Sequence, residues 1–517
     1  MRPRSIPTRH QGGDGLADAV LERTWRPNDW WLLGVVLAVI NFWLFAQTLL
    51  NVIPGIQNSL GLDTTVANLA VSVTALMSGL FIVVFGGMAD RLGRDRFLKV
   101  GIWLSIAGSV LIVLTPQQHG ALTATMMMGG RVAQGLSAAC VMPSTMALIK
   151  TFYEGKERQR ALSFWSIGSW GGSGFCSLFG GLMAVSALGW RSIFWISIVL
   201  SLLALYLVRN TPRSRAEPSD VAGRFDWGGL VTFILAMVAV NLFISQGPTI
   251  GWFSYGSLAL VVVFVITTLW FFHIETNRAN AFIDLDIFRS STFSGATLSN
   301  FLLNGAAGTL VVSLGLVQRA AGWSALQSGL LTLGYLVAIL ATIRVGERLL
   351  QRFGPKRPML WGSAITTAGI ALTSTTFVHI GQYAVLAFLG FTLFGVGLGF
   401  YATPSTDAAM SSVPGGHVGA AAGLYKMASS LGSAFGVAIS AAVYTAGTHI
   451  PASLVPDIFW GRQDNVALRF GGGLALLFNL FMCVIALISI MVTVPADQPE
   501  DQRDAHPEVP PTPTLGS

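Results

Sequence analysis

Two ionisable side chains, Arg131 and Lys426, stand in stretches otherwise suited to hydrocarbon, and an acid, Asp407, stands just after another such stretch. A charge inside a bilayer is costly, so such a group marks substrate or ion passage or a proton relay. Arg131 lies about ten residues into its apolar run, roughly 15 Å along a helix rising 1.5 Å per residue, and so near the membrane midplane. Gln134, three residues on, shares its face. A structural cation bonded to facing carbonyls is the plain alternative for Arg131. Lys426 lies about seven residues into a later run, and Asp407, in Tyr401-Ala402-Thr403-Pro404-Ser405-Thr406-Asp407, follows the run before it. An opposite charge offsets the burial of each. Asp407 and Lys426 are therefore expected to pair in one conformation and separate in another, Asp407 exchanging a proton. A helix cap at Asp407 and a snorkelling Lys426 would be the simpler arrangement. Asn41, Gln47 and Asn51 in the first run, and Asn300 and Asn304 one turn apart in the ninth, either bridge helices or touch substrate. Gln47, Asn51, Gln134, Asn300, Asn304 and Tyr401 form the candidate substrate set.

The elements that must hold these groups are membrane helices. The chain has 517 residues, 53% hydrophobic and 11% charged, with mean hydropathy +0.63; soluble proteins carry roughly 25% charged residues. Crossing hydrocarbon takes about 20 apolar residues. Fourteen such runs fall near 30–53, 66–88, 97–115, 121–149, 161–185, 190–208, 227–246, 254–273, 294–317, 326–345, 358–378, 381–403, 419–446 and 471–494. Only helices keep every backbone group bonded in lipid as isolated segments, so the expected fold is an all-α membrane protein of fourteen spans. An even count puts both termini on one side. Placing them in the cytoplasm puts 25 of the 31 Lys and Arg residues there and leaves Arg191, Arg319, Arg462 and Arg469 outside, as the positive-inside rule requires.

Punctuation divides the chain further. Gly86 through Arg96 reads as a short charged loop between the second and third runs, with Asp90, Arg91, Gly93 and Arg94 fixing its pattern. Glu347 to Arg357, between the tenth and eleventh, reads as a degraded copy. Equivalent loops after the second span of each half imply two six-helix bundles, 29–210 and 291–495, with a linker and inserted helix pair at 211–290. The tails 1–28 and 496–517 are polar, and the latter is expected to be disordered. The fifth run carries Gly172, Cys176, Ser177, Gly180 and Gly181 among other small residues, which allow close helix packing.

Several classes are excluded. Cys140, Cys176 and Cys483 lie in apolar runs and read as core residues, and the first 28 residues lack a signal peptide's apolar core. No basic-aromatic tract suggests nucleic acid. There is no P-loop and no metal-ligand cluster, and His273, His379, His417 and His449 are scattered near run ends. An enzyme, a cofactor and direct use of ATP are accordingly not expected.

The charged loop matches the G-x-x-x-D-R-x-G-R/K signature of the major facilitator superfamily. Gly130-Arg131-Val132-Ala133-Gln134-Gly135 resembles its R-x-x-Q-G signature, and Gly172 to Gly181 resembles the exporter motif G-x-x-x-G-P-x-x-G-G, with Cys176-Ser177 in place of Gly-Pro. With fourteen runs, the chain resembles the fourteen-helix drug:proton antiporter family over nearly its whole length. The resemblance implies a substrate site between two bundles and a conformational latch at Gly86, Asp90, Arg91, Gly93 and Arg94. It implies proton coupling through Arg131, to which the residues themselves add Asp407 and Lys426, and packing by the fifth-span motif. It also implies a single chain in the prokaryotic cell membrane, exporting amphipathic drugs such as fluoroquinolones against inward proton flow. Many relatives carry a first-span Asp in D-x-T-I-V-N; here Phe45 and Ala46 occupy that neighbourhood. A permanent cation would want that carboxylate, so zwitterionic or anionic amphiphiles are the expected cargo. The competing readings are a transporter of one endogenous organic anion and a membrane sensor that kept the fold.

Overall fold

Each apolar run folds as helix, and no strand occurs among the described residues. The structure, a computed structural model, describes residues 25–46, 48–62, 64–186, 188–214, 226–277, 285–413, 418–459 and 465–496. Ten spans are continuous: Thr64–Leu92, Arg94–Val113, Ala121–Phe152, Arg191–Val208, Trp227–Ile250, Tyr255–Asn277, Lys356–Thr373, Ile380–Ser411, Val418–Thr448 and Val466–Thr493. The other four are interrupted. The first is Asp29–Ala46 with Leu49–Leu60. The fifth is Gly155–Ser166 and Gly172–Val185 around a π-helical turn, Ile167–Gly171. The ninth is Ser291–Gly305 with Gly308–Ala321, and the tenth Ala325–Leu330 with Leu333–Phe353. Eleven helical stretches among the described residues are long and apolar enough to cross a membrane. The eleventh is not among them because it opens on Lys356 and Arg357.

The packing repeats with an offset of eight spans. The fourth span lies on the second and third, as the twelfth lies on the tenth and eleventh. The first lies on the sixth, as the ninth lies on the fourteenth. Between the halves the second span meets the thirteenth and the tenth meets the fifth, a reciprocal exchange expected of a pseudo-twofold pair of six-helix bundles. The seventh and eighth spans pack on each other, and the seventh rests on the second and thirteenth. Most of the eighth faces outward.

Three expected boundaries are corrected. Gly86 to Arg96 is not a loop: one helix runs through Leu92 and the next starts at Arg94, joined by Gly93 alone. Gly93 has φ +122, a conformation open to glycine and strained for other residues. Its N–H closes the preceding helix on the Ala89 carbonyl at 2.9 Å. Gly354, at φ +70, does the same on Leu350 at 2.9 Å, so the second junction is built like the first. Gln351 there stands where Asp90 stands here, three residues before the glycine. Second, Asp407 does not follow the twelfth span but lies inside it, because the helix runs through Pro404 to Ser411. Third, Arg469 is no outer-loop residue. It lies in the fourteenth span, 2% exposed, donating to the Phe377 and Phe459 carbonyls at 3.1 and 3.2 Å. Those bonds satisfy the cation's burial.

Candidate functional site

Between the halves is a small cleft lined by residues of both. The first half contributes Trp43 and Trp170; the second contributes Leu303, Asn304, Tyr335 and Phe394 among others, with Ser433. Apolar and aromatic walls with a few polar groups are what small-molecule sites require, and in this conformation the cleft is nearly closed. The π-helical turn places Trp170. Inserting a residue into the helical register there turns Ser169 and Trp170 toward the other half, a use to which such turns are often put. The Tyr335 hydroxyl donates to the Trp170 carbonyl at 3.3 Å across the interface. Trp43 is seated by Gly172, whose missing Cβ would lie 3.0 Å from the Trp43 ring. Cys176 adds a bond from its thiol to the Trp43 carbonyl at 2.7 Å. The glycine-rich motif thus shapes one wall of the cleft; Gly180 and Gly181 are buried farther along the same helix.

Lys426 crosses from the thirteenth span into the first half. Its Nζ donates to Ser169 Oγ at 3.2 Å and lies 4.3 Å from the Trp165 ring centre. Asp407 faces Arg158 of the fifth span, at 3.5 Å. The expected Asp407–Lys426 pair is therefore not made in this conformation; each side chain turns instead to a partner in the opposite half. Lys150, from the end of the fourth span, donates to the Met410 and Val413 carbonyls at 2.8 and 3.3 Å. These carbonyls end the twelfth helix, where orphan acceptors and the negative dipole end favour a cation.

Arg131 is fully buried and ties helices of its own half. Its Nε donates to the Ala70 carbonyl at 2.7 Å, its Nη1 to Gln134 Oε1 at 2.8 Å, and Thr74 donates to the Arg131 carbonyl at 3.1 Å. Gln134 continues to Ser109 at 3.2 Å and Ser109 to Ser197 at 3.4 Å. Ser197 donates to Asn41 Oδ1 at 2.6 Å, and Asn41 bonds Ser105 at 2.9 Å as well as Ser201. Asn41 is a helix bridge, and Gln134 is placed to orient Arg131. In the other half Asn300 donates to the Tyr425 carbonyl at 2.8 Å and to Ser429 at 2.6 Å, while Asn304, held on Asn300 Oδ1 at 2.9 Å, reaches the cleft. Tyr401 bonds Ser299 at 2.7 Å and Ser405 at 2.8 Å, and stands edge-on to Trp170. Gln47 lies outside the described residues, as do the side chains of Asn51 and Ser177.

At the Gly93 junction Asp90 and Arg94 form a buried ion pair at 2.7 Å. Arg94 also donates to Thr151 at 2.6 Å, and its backbone N–H to the Ser214 carbonyl at 2.9 Å. Gly86 is buried and Arg91 exposed. These bonds fasten the third span to the fourth and to the segment after the sixth.

Of the cleft-lining residues, the sequence reading singled out Asn304 alone. Trp43, Trp170, Tyr335 and Phe394 were missed, as were Ser169, Arg158 and Lys150. An aromatic residue in a membrane helix carries no mark of whether it faces lipid or cleft. Arg158 and Lys150 did carry a signal, being cations next to span ends.

The fold and the cleft define a multi-pass membrane transporter built of two related bundles. The chain belongs to the Major Facilitator Superfamily, whose family model matches residues 31–286 and 293–516. It is a transporter and not an enzyme. The quinolone resistance protein NorB of Staphylococcus aureus strain MRSA252 is 44% identical over 472 residues, covering 91% of this chain and 97% of that protein. NorB of strain COL is 45% identical over 464 residues, covering 90% and 95%. Among solved structures, the proton:xylose symporter XylE aligns with TM-score 0.62 at 16% identity, covering 90% of this chain and 96% of that one. The human organic anion transporter MFSD10 aligns with TM-score 0.58 at 14% identity, covering 89% and 98%. At that identity the two share the fold alone.

Proposed function

We propose that this chain is a proton-driven exporter of amphipathic, zwitterionic drugs of the fluoroquinolone kind, working as a single chain. The observation that carries the reading is the 44% identity to a quinolone resistance protein over 97% of that protein's length. The cleft supports it: aromatic walls suit a flat ring system, and its named lining residues are uncharged. With no carboxylate among them, permanent dications have nothing to offset their charge. The face on which the first span begins is cytoplasmic, as the distribution of Lys and Arg requires. The bundles 29–210 and 291–495 rock about the cleft, with the 211–290 pair carried against them. Energy comes from the proton gradient, without a cofactor.

Asp407 exchanges the proton. It is an acid at the interface of the halves, held by Arg158 of the opposite half, and its release from Arg158 accompanies opening toward the cytoplasm. Expression in a pump-deficient bacterium should raise the inhibitory concentration of norfloxacin, and an uncoupler should abolish the rise. Asp407→Asn should return susceptibility to the pump-deficient baseline at equal expression; proton-driven export intact in that variant refutes the assignment. Unchanged susceptibility to every drug tried would favour transport of one endogenous organic anion, which the interior Lys426 would also suit.

A further inference from the structure

We propose that Lys426 and Ser169 form a carboxylate subsite at the cytoplasmic end of the cleft, and that Lys426 is not the group that exchanges the proton. The proposal rests on the export reading and names the chemistry that the cargo must carry.

Lys426 is 4% exposed and sits where the two halves meet. Its partners are one neutral hydroxyl, Ser169, and the faces of Trp165 and Tyr425. Among the described residues no carboxylate lies within ion-pairing distance of it. A hydroxyl and aromatic faces compensate a buried ammonium only in part; an anion within hydrogen-bond reach would complete it. Two elements lead from the site to the cleft. Ser169 adjoins Trp170, which lines the cleft. On the thirteenth span Lys426, Ser429 and Ser433 follow one face, and Ser433 lines the cleft. Seven residues of helix separate Lys426 from Ser433, about 10 Å. Once the halves part, an amphiphile of that length with its rings against Trp43, Tyr335 and Phe394 reaches Lys426 with a terminal carboxylate.

The sign of the coupling follows. A carboxylate beside Lys426 stabilises its charged form, so cargo and proton would bind there together. Exchange requires the opposite, a group that gives up its proton as cargo binds. Lys426 therefore selects the cargo, and the exchanged proton belongs to a different residue, Asp407.

The test compares norfloxacin with its ethyl ester, which masks the carboxylate, on purified full-length protein. Binding is read by tryptophan fluorescence, and drug-driven proton movement in proteoliposomes by an internal pH dye. Wild type should bind the acid about tenfold more tightly than the ester. Lys426→Gln should erase that ratio by weakening the acid alone, while the ester still drives proton movement. Lys426→Arg should keep most of the ratio, and Ser169→Ala should lower it about threefold, which guards against misfolding of any one variant. Equal weakening of acid and ester in Lys426→Gln, or loss of ester-driven proton movement, overturns the proposal. Wild type that binds neither compound overturns the export reading, and the subsite with it. Wild type that binds both equally refutes the subsite alone.

Discussion

Arg131 shows how an intramembrane cation is kept by geometry as well as charge. Its guanidinium bonds the Ala70 carbonyl on the second span and Gln134 on its own, at 2.7 and 2.8 Å. A planar fork can serve both partners at once, whereas an ammonium at the end of a flexible stem holds them less rigidly. Arg131→Lys keeps the charge and loses the fork. We expect the rate of export to fall about tenfold or more, the loss of one charge-assisted bond being worth about 1.5–3 kcal/mol. Expression and monodispersity should hold, because the serine and asparagine contacts of that network remain. Export at the wild-type rate would mean that positive charge alone is required at this position.

At the scale of elements, the junctions carry as much information as the spans. Gly93 joins two helices at φ +122, and a Cβ there would also lie 3.0 Å from Asp95 Oδ1. Gly93→Ala should cost about 1–3 kcal/mol, the usual penalty for a non-glycine residue in a sparsely populated conformation. The variant should lose thermal stability in detergent and export capacity together, because the strain falls on the Asp90–Arg94 pair. An unchanged melting profile would show that the junction can relax. The long helices were legible in the sequence because hydrocarbon permits little else, and Arg131, Asp407 and Lys426 stood out because charge there is rare. The π-helical turn at Ile167–Gly171 was not legible. The glycines around it signal close packing, but a one-residue slip in register is decided by the neighbours Val36, Trp43 and Leu340. The aromatic walls of the cleft were hidden for a related reason: period and hydropathy are the same for a ring facing lipid and a ring facing the other half. The partners of Asp407 and Lys426 depend on which helices meet between the halves, and charge bookkeeping along one chain does not contain that.

At the scale of the molecule, alternating access requires that the halves separate on one face while holding on the other. In this conformation both faces are held. Away from the first span's start, Gly172–Val185 packs on Ala325–Leu330. On the side where the first span begins, Lys150 caps the carbonyl end of the twelfth helix at 2.8 and 3.3 Å, and Arg158 meets Asp407 at 3.5 Å. The Lys150 contact is the better formed of the two, and it joins a side chain of one half to the backbone of the other. Removing its charge should therefore shift the population toward opening on that face. A cation at a helix end in a partly buried setting contributes up to about 2 kcal/mol, so a shift of about tenfold is expected. Ser405 reports it, being fully buried between the cleft and Met410. The native cysteines are all buried, so labelling of Ser405→Cys by a permeant maleimide has little background. Adding Lys150→Met should speed that labelling about tenfold, and adding Arg158→Gln should speed it less, since that pair is longer and more exposed. If neither changes the rate, closure on this face rests on the packing of the second span against the thirteenth, and the charged contacts only follow it.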